Sequence, residues 1–548
     1  MLKAVSCDKF IENGQPRGKI EFKKGLNIIR GGVRGTNSIG KSTFLLILDF
    51  VFGGDDYISI ATDAQNNVHE HIIKFEFEFD GDSFYFYRST GDYQNIYLCD
   101  VEYRPEAKWT SDAYTEWLCE KYNLTLPDLT FRGAESRFIR VANRENSDAR
   151  KPLASAKHEP EKQAIAGMLK LFDMYASVSE RQTAYNTAKE EEKTFKNAQK
   201  YNYISVASNI TEVKKNVERI TELDKELTEL SEKNSQGLLE LTSLQKKQLR
   251  ELTDKCSALI IQEADINTQL RAIRKNKDAG KKKFQADYDE LIEFFPDVNI
   301  DRLYTVEGFH REITGVLKSE FRETEEKLEL MNKLLRAEIE KLEKEMRSIA
   351  EIPTVSEAII TEYTRKDRER ETLKKANEAF YHNDELHEVT LEQESQLNNI
   401  TMSQVMRAQS DINENMKRLN DYVCGKGAKI KTPVLNVTDA RHYELYTPDD
   451  TGTGTSYKGL ILFDLACLEL TRLPFIIHDS YLFDHIEYDR VSKIIELYDQ
   501  YANKQIFVSL DREGNYSAEA QEIIKNRERL RLERGGRELF GWSWSKED

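Results

Sequence analysis

Gly35-Thr36-Asn37-Ser38-Ile39-Gly40-Lys41-Ser42 matches the phosphate-cradling pattern G-x-x-x-x-G-K-[ST] in full, and its reading decides the fold. The run before it, Leu26-Asn27-Ile28-Ile29, reads as an apolar strand, and Thr43 to Phe52 after it reads as a buried helix. Strand, loop and helix in that order are the context the pattern requires. In such a loop the backbone N–H groups and the helix N-terminus surround phosphates. Gly35, Asn37, Ser38, Gly40 and Thr43 are therefore expected to line a nucleotide. Lys41 is expected to reach its β- and γ-phosphates, and the Ser42 hydroxyl to ligate Mg²⁺. The motif predicts binding of ATP or GTP.

Three textures follow along the 548 residues. Residues 1–160 read as mixed α/β. Ile72 to Phe79 and Ser83 to Tyr87 flank Asp80-Gly81-Asp82, a hairpin pattern, and Ser136 to Val141 reads as another strand. Residues 161–427 almost lack glycine and proline. Apolar residues there step by three and four: Val213, Val217, Ile220, Leu223, Leu227, Leu230, and later Leu328, Met331, Leu335, Ile339, Leu342, Met346, Ile349. Such steps predict coiled-coil seams. Phe294-Phe295-Pro296 ends a helix near the middle, so the apex is expected at 285–312. Each arm is then about 100 to 120 residues, or roughly 150 to 180 Å if continuously helical. Residues 428–548 return to α/β, with strands expected at Pro433 to Val437, Tyr443 to Tyr446, Phe475 to Ile477 and Gln505 to Val508.

The phosphate loop needs an acidic partner for Mg²⁺ at the end of a neighbouring apolar strand. Leu473-Pro474-Phe475-Ile476-Ile477-His478-Asp479 supplies it in Asp479; the plainer reading is a strand-end cap. For Asp479 and Ser42 to share one ion, the helical region must leave the first lobe, turn and return. Ahead of that strand, Asp450 to Gly459 is a Gly/Thr/Ser loop before an apolar helix. It reads as a second anion site at a helix N-terminus or as an ordinary capped loop.

Composition narrows the classes. Charged residues make up 32% and the formal charge is −16, which excludes a chain basic all over but not local basic patches. The six cysteines are scattered with no C-x-x-C pair, so neither a zinc site nor a disulfide framework is expected. No apolar run reaches the ~18 residues that span a bilayer, and the first residues lack a signal-peptide core. The expectation is a cytoplasmic protein without a membrane partner. Basic clusters lie at Arg271, Arg274, Lys275, Lys277, Lys281, Lys282 and Lys283; at Arg132, Arg137, Arg140 and Arg144; and from Lys525 to Arg537. Each reads either as a phosphate-binding face for DNA or as a solvated helix face.

A split head, an antiparallel coiled coil and a Gly/Ser loop before an acidic strand resemble the SMC/RecN superfamily of ABC-type ATPases. More narrowly, Phe294-Phe295-Pro296 with Gly308-Phe309-His310, and Ile477-His478-Asp479-Ser480 with Leu482-Phe483-Asp484, resemble the large ATPase of bacterial ABC-three-component and Lamassu-like anti-phage systems. The resemblance implies an α/β ABC-type P-loop ATPase head built from N- and C-terminal lobes, with a long antiparallel coiled-coil insertion. It also implies a homodimer through the heads, with ATP and Mg²⁺ between them. Gly454 and Ser456 would touch the γ-phosphate of the other copy, Lys458 would assist as a local cation, and Asp484 would stand at the D-loop position. Implied partners are double-stranded DNA and smaller subunits that include an effector nuclease. A RecN-like repair ATPase and a nucleotide-locked scaffold without DNA are the alternatives. The chain departs from the superfamily pattern at Ser480, where a catalytic glutamate is usual, and at Ser509-Leu510-Asp511, where a histidine is usual. His478, Asp484 and Asp511 are the candidates to replace them, Asn143 stands for the usual glutamine, and a slow or partner-stimulated ATPase is expected.

Overall fold

The computed structural model describes residues 1–32, 39–156, 158–201, 203–235, 243–279, 324–346, 348, 355–427, 431–511 and 513–544. They divide into two units, Met1–Thr183 with Ser395–Asp548, and Ala184–Glu394.

In the first unit the strands run in chain order β1 (Leu2–Cys7), β2 (Ile11–Glu12), β3 (Gln15–Pro16), β4 (Ile20–Glu21), β5 (Gly25–Arg30), β6 (Ile72–Phe79), β7 (Asp82–Ser89), β8 (Asn95–Cys99), β9 (Pro105–Thr110) and β10 (Ile139–Arg140). After the helical region come β11 (Val434–Asp439), β12 (His442–Tyr446), β13 (Phe475–His478), β14 (Gln505–Leu510) and β15 (Glu528–Arg531). Two sheets matter for the site. One is six-stranded, in the order β4-β1-β6-β7-β8-β9; the other is five-stranded, β10-β13-β14-β5-β15. The predicted hairpin is β6–β7, closed at Phe79 opposite Asp82. Asp80 and Gly81 both take positive φ there, as a tight hairpin turn demands.

Every pairing in the five-stranded sheet is parallel. Its central strands are buried along their whole length, which is why Phe475-Ile476-Ile477 and Ile506-Phe507-Val508 read as unbroken apolar runs. Strands from both ends of the sequence interleave: β13 and β14 stand between β10 and β5. The helix after the phosphate loop, α1 (Lys41–Val51), packs on β14 of this sheet and on β6 of the other. Nine of its eleven residues are buried, the pattern of a helix clad on both sides. Just after it, Phe52 stacks on Phe475 with ring centroids 3.9 Å apart.

One expected strand is shorter than its sequence suggests. Ser136–Phe138 is a 3₁₀ turn, and only Ile139–Arg140 pairs in the sheet. The Ser136 and Ile139 carbonyls accept instead from the Arg144 guanidinium at 3.0 and 2.8 Å, so they are taken by a side chain.

In the second unit, helices pair in antiparallel fashion. Ile210–Ser235 meets the N-terminal part of Val355–Cys424 through Asn216–Asn377, Arg219–Glu369 and Lys366–Glu226. Ser243–Ala279 meets the helix over 324–346 through Asn267–Asn332 and Glu263–Arg336, with Cys256, Ile339, Leu342 and Met346 as core. Among the described residues the seams differ from the predicted ones at one place in each pair; Ile349 lies outside those residues. Val217 and Met331 are exposed, and the adjacent asparagines, Asn216 and Asn332, turn inward. Each asparagine bonds another across the seam, at 2.8 and 2.6 Å. Counting apolar residues alone misplaces these positions, because a paired amide satisfies a seam as a methyl group does. Paired seam asparagines fix register at a cost in stability.

Asn216→Leu alone should lower stability by about 1–3 kcal/mol, because it strands the buried Asn377 amide. Asn216→Leu with Asn377→Leu should recover that loss or exceed it, as read by thermal unfolding of each variant. A double variant weaker than the single would show that the pair contributes through more than its own hydrogen bond.

Candidate functional site

Because the five strands are parallel, their carboxyl ends share one edge, where ligands of open α/β sheets bind. The register puts His478, Val508 and Ile28 in line, so Asp479 after β13 and Asp511 after β14 open onto the edge from which the phosphate loop leaves β5. Gly35, Asn37 and Ser38 of that loop lie outside the described residues. Gly40, Lys41, Ser42 and Thr43 are at the start of α1, and Gly40 takes φ +93°, a backbone that glycine adopts without strain.

Lys41 is nearly buried, and its Nζ lies 3.0 Å from Asp511 Oδ1. Gly31 makes room for the pair: a Cβ there would stand 2.0 Å from Asp511 Oδ1. Burial pushes the Asp511 carboxyl above the usual carboxylate range; Lys41 opposes the rise, and the charges of Asp479 and Asp484 reinforce it. Lys41, Asp479, Asp484 and Asp511 therefore share one electrostatic site.

Asp479 is 1% exposed and fixed by three short bonds. Its Oδ1 accepts from the Ser509 hydroxyl at 2.6 Å and from the Ser480 N–H at 2.7 Å, and its Oδ2 accepts from the Ala142 N–H at 3.1 Å. A carboxylate has about four acceptor sites. With two of these bonds on Oδ1 and one on Oδ2, Oδ2 keeps a lone pair for a metal or its water. Mg²⁺ takes one or two protein oxygens and keeps several waters, so a hard-oxygen set of Asp479 and Ser42 fits it. Among the described residues no cluster of three or more His, Cys, Asp or Glu forms an all-protein metal cage. Ser480 donates its backbone N–H to the Ser509 hydroxyl as well, so Ser509 organises the strand end. In the sequence Ser509 stood out only as a departure, where a histidine is usual; its hold on Asp479 was hidden because a serine in an apolar strand carries no motif. Asn143, exposed and with φ +69°, follows the residue that bonds Asp479.

His478 cannot take the catalytic glutamate's role. It is fully buried, with Nδ1 2.6 Å from the Tyr498 hydroxyl and Nε2 3.1 Å from Asp464 Oδ2. Asp464 also receives both ends of a bidentate bond from Arg140, at 2.9 and 3.0 Å. Burial would raise the Asp464 carboxyl, but Arg140 and His478 overcome that and hold it low.

Gly454 lies in the first turn of the helix Thr453–Leu470, and a Cβ there would stand 2.1 Å from the His485 carbonyl. The Gly454 loop thus packs on the segment that carries the exposed Asp484. The Ser456 hydroxyl donates to the Gly452 carbonyl at 3.2 Å. Lys458 does not face outward as a local cation. It is buried, its Nζ lies 2.8 Å from Asn420 Oδ1 and 3.5 Å from Cys424 Sγ, and burial lowers its pKa.

The head arginines are not a DNA face. Arg132 pairs with Asp49 and Glu135, Arg137 donates to the Leu153 and Ala164 carbonyls, Arg140 holds Asp464, and Arg144 holds Asp56. Near the C-terminus Arg527 pairs with Asp499, Arg531 with Glu533 and Arg537 with Glu12. Arg271, Arg274 and Lys275 lie on the helix Ser243–Ala279, while Lys281, Lys282, Lys283 and the expected apex lie outside the described residues. No helix among the described residues is long and apolar enough to cross a membrane.

The model of a family described as an uncharacterised protein conserved in bacteria (DUF2326) matches residues 416–544. No curated protein sequence matches the chain. Among solved structures, the chain is similar to the Smc head domain with a coiled coil and joint from Pyrococcus yayanosii. That match has 15% identity and a TM-score of 0.43, and covers 99% of this chain and 96% of that one. It is also similar to the Smc head domain with an extended coiled coil bound to the C-terminal domain of ScpA from Pyrococcus furiosus, at 12% identity and a TM-score of 0.41, covering 99% and 94%. A third match is an Smc head bound to the C-winged helix domain of ScpA, at 8% identity and a TM-score of 0.38, covering 95% and 91%. Superpositions of this extent leave the functional question to the chain's own geometry.

A carboxyl raised in the folded state favours folding below its unfolded pKa, and that contribution fades as pH rises through the folded value. Asp511→Asn cannot ionise and leaves the Lys41 ammonium without an anion, so its melting temperature should differ from wild type by an amount that depends on pH. Relative to the variant, wild type should gain stability as pH falls from 7 toward 4. A gap independent of pH, measured by thermal unfolding across that range, would remove Asp511 ionisation as its cause.

Proposed function

We infer that the chain is an ATP-binding, SMC-like scaffold whose head hydrolyses ATP slowly. The observation that carries this reading is the convergence of Lys41, Asp479 and Asp511 at the carboxyl edge of one parallel sheet. In this reading Lys41 exchanges Asp511 for the terminal phosphate. Ser42 and Asp479 hold Mg²⁺, which when bound offsets charge on the phosphates. Asp511, released from Lys41 and already raised by burial, accepts a proton from the attacking water. That gives the chain a base where Ser480 cannot serve.

The finer parts of the proposal follow the resemblance. Two heads dimerise around ATP, with Gly454 and Ser456 meeting the other copy's phosphate and Asp484 at the same seam. The antiparallel helices of the second unit form the coiled-coil insertion, with Arg271, Arg274, Lys275, Lys281, Lys282 and Lys283 as its contacts to double-stranded DNA. Smaller subunits, including an effector nuclease, complete an anti-phage system in the bacterial cytoplasm. The internal use of Arg132, Arg137, Arg140 and Arg144 favours a second reading, a nucleotide-locked scaffold without DNA contact.

ATP hydrolysis by wild type, Lys41→Ala and Asp511→Asn, with and without linear or circular double-stranded DNA, tests the proposal. Lys41→Ala should lose ATP binding. Asp511→Asn should lower kcat by about 10²–10⁴-fold while binding ATP at least as tightly. Wild-type turnover in Asp511→Asn would remove it as the base. DNA stimulation that charge reversal at Lys281, Lys282 and Lys283 abolishes would support the DNA contact; indifference to DNA would favour the second reading.

A further inference from the structure

The C-terminal segment comes back to the phosphate loop. Leu539 donates its N–H to the Ile39 carbonyl at 3.1 Å and accepts from the Ile11 N–H at 3.2 Å. A Cβ on Gly40 would stand 2.6 Å from Leu539 Cβ, so the segment is seated directly on the loop's exit. Beyond it, Phe540, Trp542 and Trp544 face Thr43 and Asp63 across a cleft of about 150 Å³. The Trp544 indole N–H donates to Asp63 Oδ2 at 2.8 Å. Its ring lies 5.4 Å from Trp542 and 5.9 Å from Phe540. Trp542 remains 47% exposed.

Lys41 and Thr43 are two residues apart on α1, which puts them about 200° apart around the helix. The first turn therefore has two opposite sides. On one, Lys41 meets Asp511; on the other, Thr43 meets the tryptophans. A nucleotide whose terminal phosphate sat at Lys41 and whose phosphate chain crossed the helix N-terminus would bring its base to the Thr43 side. An exposed indole beside that position offers a π-face at low entropic cost.

We propose that Trp542 and Trp544 form the wall on which the nucleobase stacks, with Asp63 as the positioning residue that fixes the Trp544 ring. The proposal rests on the nucleotide reading above and names the part of the chain that holds the base. Stacking accepts any base. The site should therefore discriminate weakly between ATP and GTP.

Calorimetric titration of the full chain with ATP, GTP and inorganic tripolyphosphate separates recognition of the base from recognition of the phosphates. Trp542→Ala and Trp544→Ala should each weaken ATP about tenfold, the scale of one lost base–aromatic stack, and leave tripolyphosphate within twofold. Trp542→Phe and Trp544→Phe should retain most of the affinity. Asp63→Asn, which keeps an acceptor for the indole, should stay near wild type, and Asp63→Ala should fall toward the tryptophan variants. Lys41→Ala should lose both ATP and tripolyphosphate. ATP affinity unchanged in both tryptophan variants would overturn the proposal, as would equal loss of ATP and tripolyphosphate, which marks a structural role only. A tenfold preference for one base would overturn stacking as the sole contact. Wild type that binds tripolyphosphate with ATP-like affinity would remove the base subsite while sparing the phosphate site. Wild type that binds none of the three would bring down the nucleotide reading and this proposal with it.

Discussion

A nearly buried ammonium must have an anion beside it, and at Lys41 that anion comes from the far end of the sequence. Unpaired, such a charge would cost several kcal/mol or give up its proton. Asp511 satisfies it because β14 lies next to β5 in parallel register, so the residue after one strand meets the loop after the other. The same register brings Asp479 to the edge. A sheet that used only N-terminal strands would have β5 and the phosphate loop without either acid.

Behind that edge, one buried network ties the two ends of the chain together. Arg140 on β10 grips Asp464 in the middle of the helix Thr453–Leu470, and Asp464 bonds His478, the residue before Asp479. Gly454 begins that same helix. The helix that carries the Gly/Ser loop is thus locked to the strand that carries the acid. Breaking one partner of a buried pair leaves the other stranded, so the network holds these loops in one arrangement. Fully satisfied polar networks of this kind specify a unique core more than they add stability.

The parts of the fold that follow from local pattern were legible. The Gly35–Ser42 motif between an apolar run and an apolar helix marked β5 and α1, and Asp80-Gly81-Asp82 marked the β6–β7 turn. Strands buried on both faces showed as unbroken apolar runs. What the sequence concealed were partners distant along the chain. Arg132, Arg137, Arg140 and Arg144 look like a basic patch in a string of letters, yet each has a buried acid or carbonyl waiting for it. Lys458 and His478 likewise lie inward, on Asn420 and on Asp464. A charged residue's type does not tell which way it faces; only its neighbours across the fold do. The seam asparagines were missed for the related reason that a paired amide looks polar in sequence and behaves as core in the fold.

The central claim is that Lys41 trades Asp511 for a nucleotide phosphate. The most direct measurement is the Lys41 Nζ to Asp511 distance in a crystal structure of the chain grown with Mg²⁺ and a non-hydrolysable ATP analogue. With the analogue bound, the 3.0 Å pair should open, Lys41 should contact the terminal phosphate, and Asp479 should face the metal. A closed Lys41–Asp511 pair with the analogue bound elsewhere would contradict it.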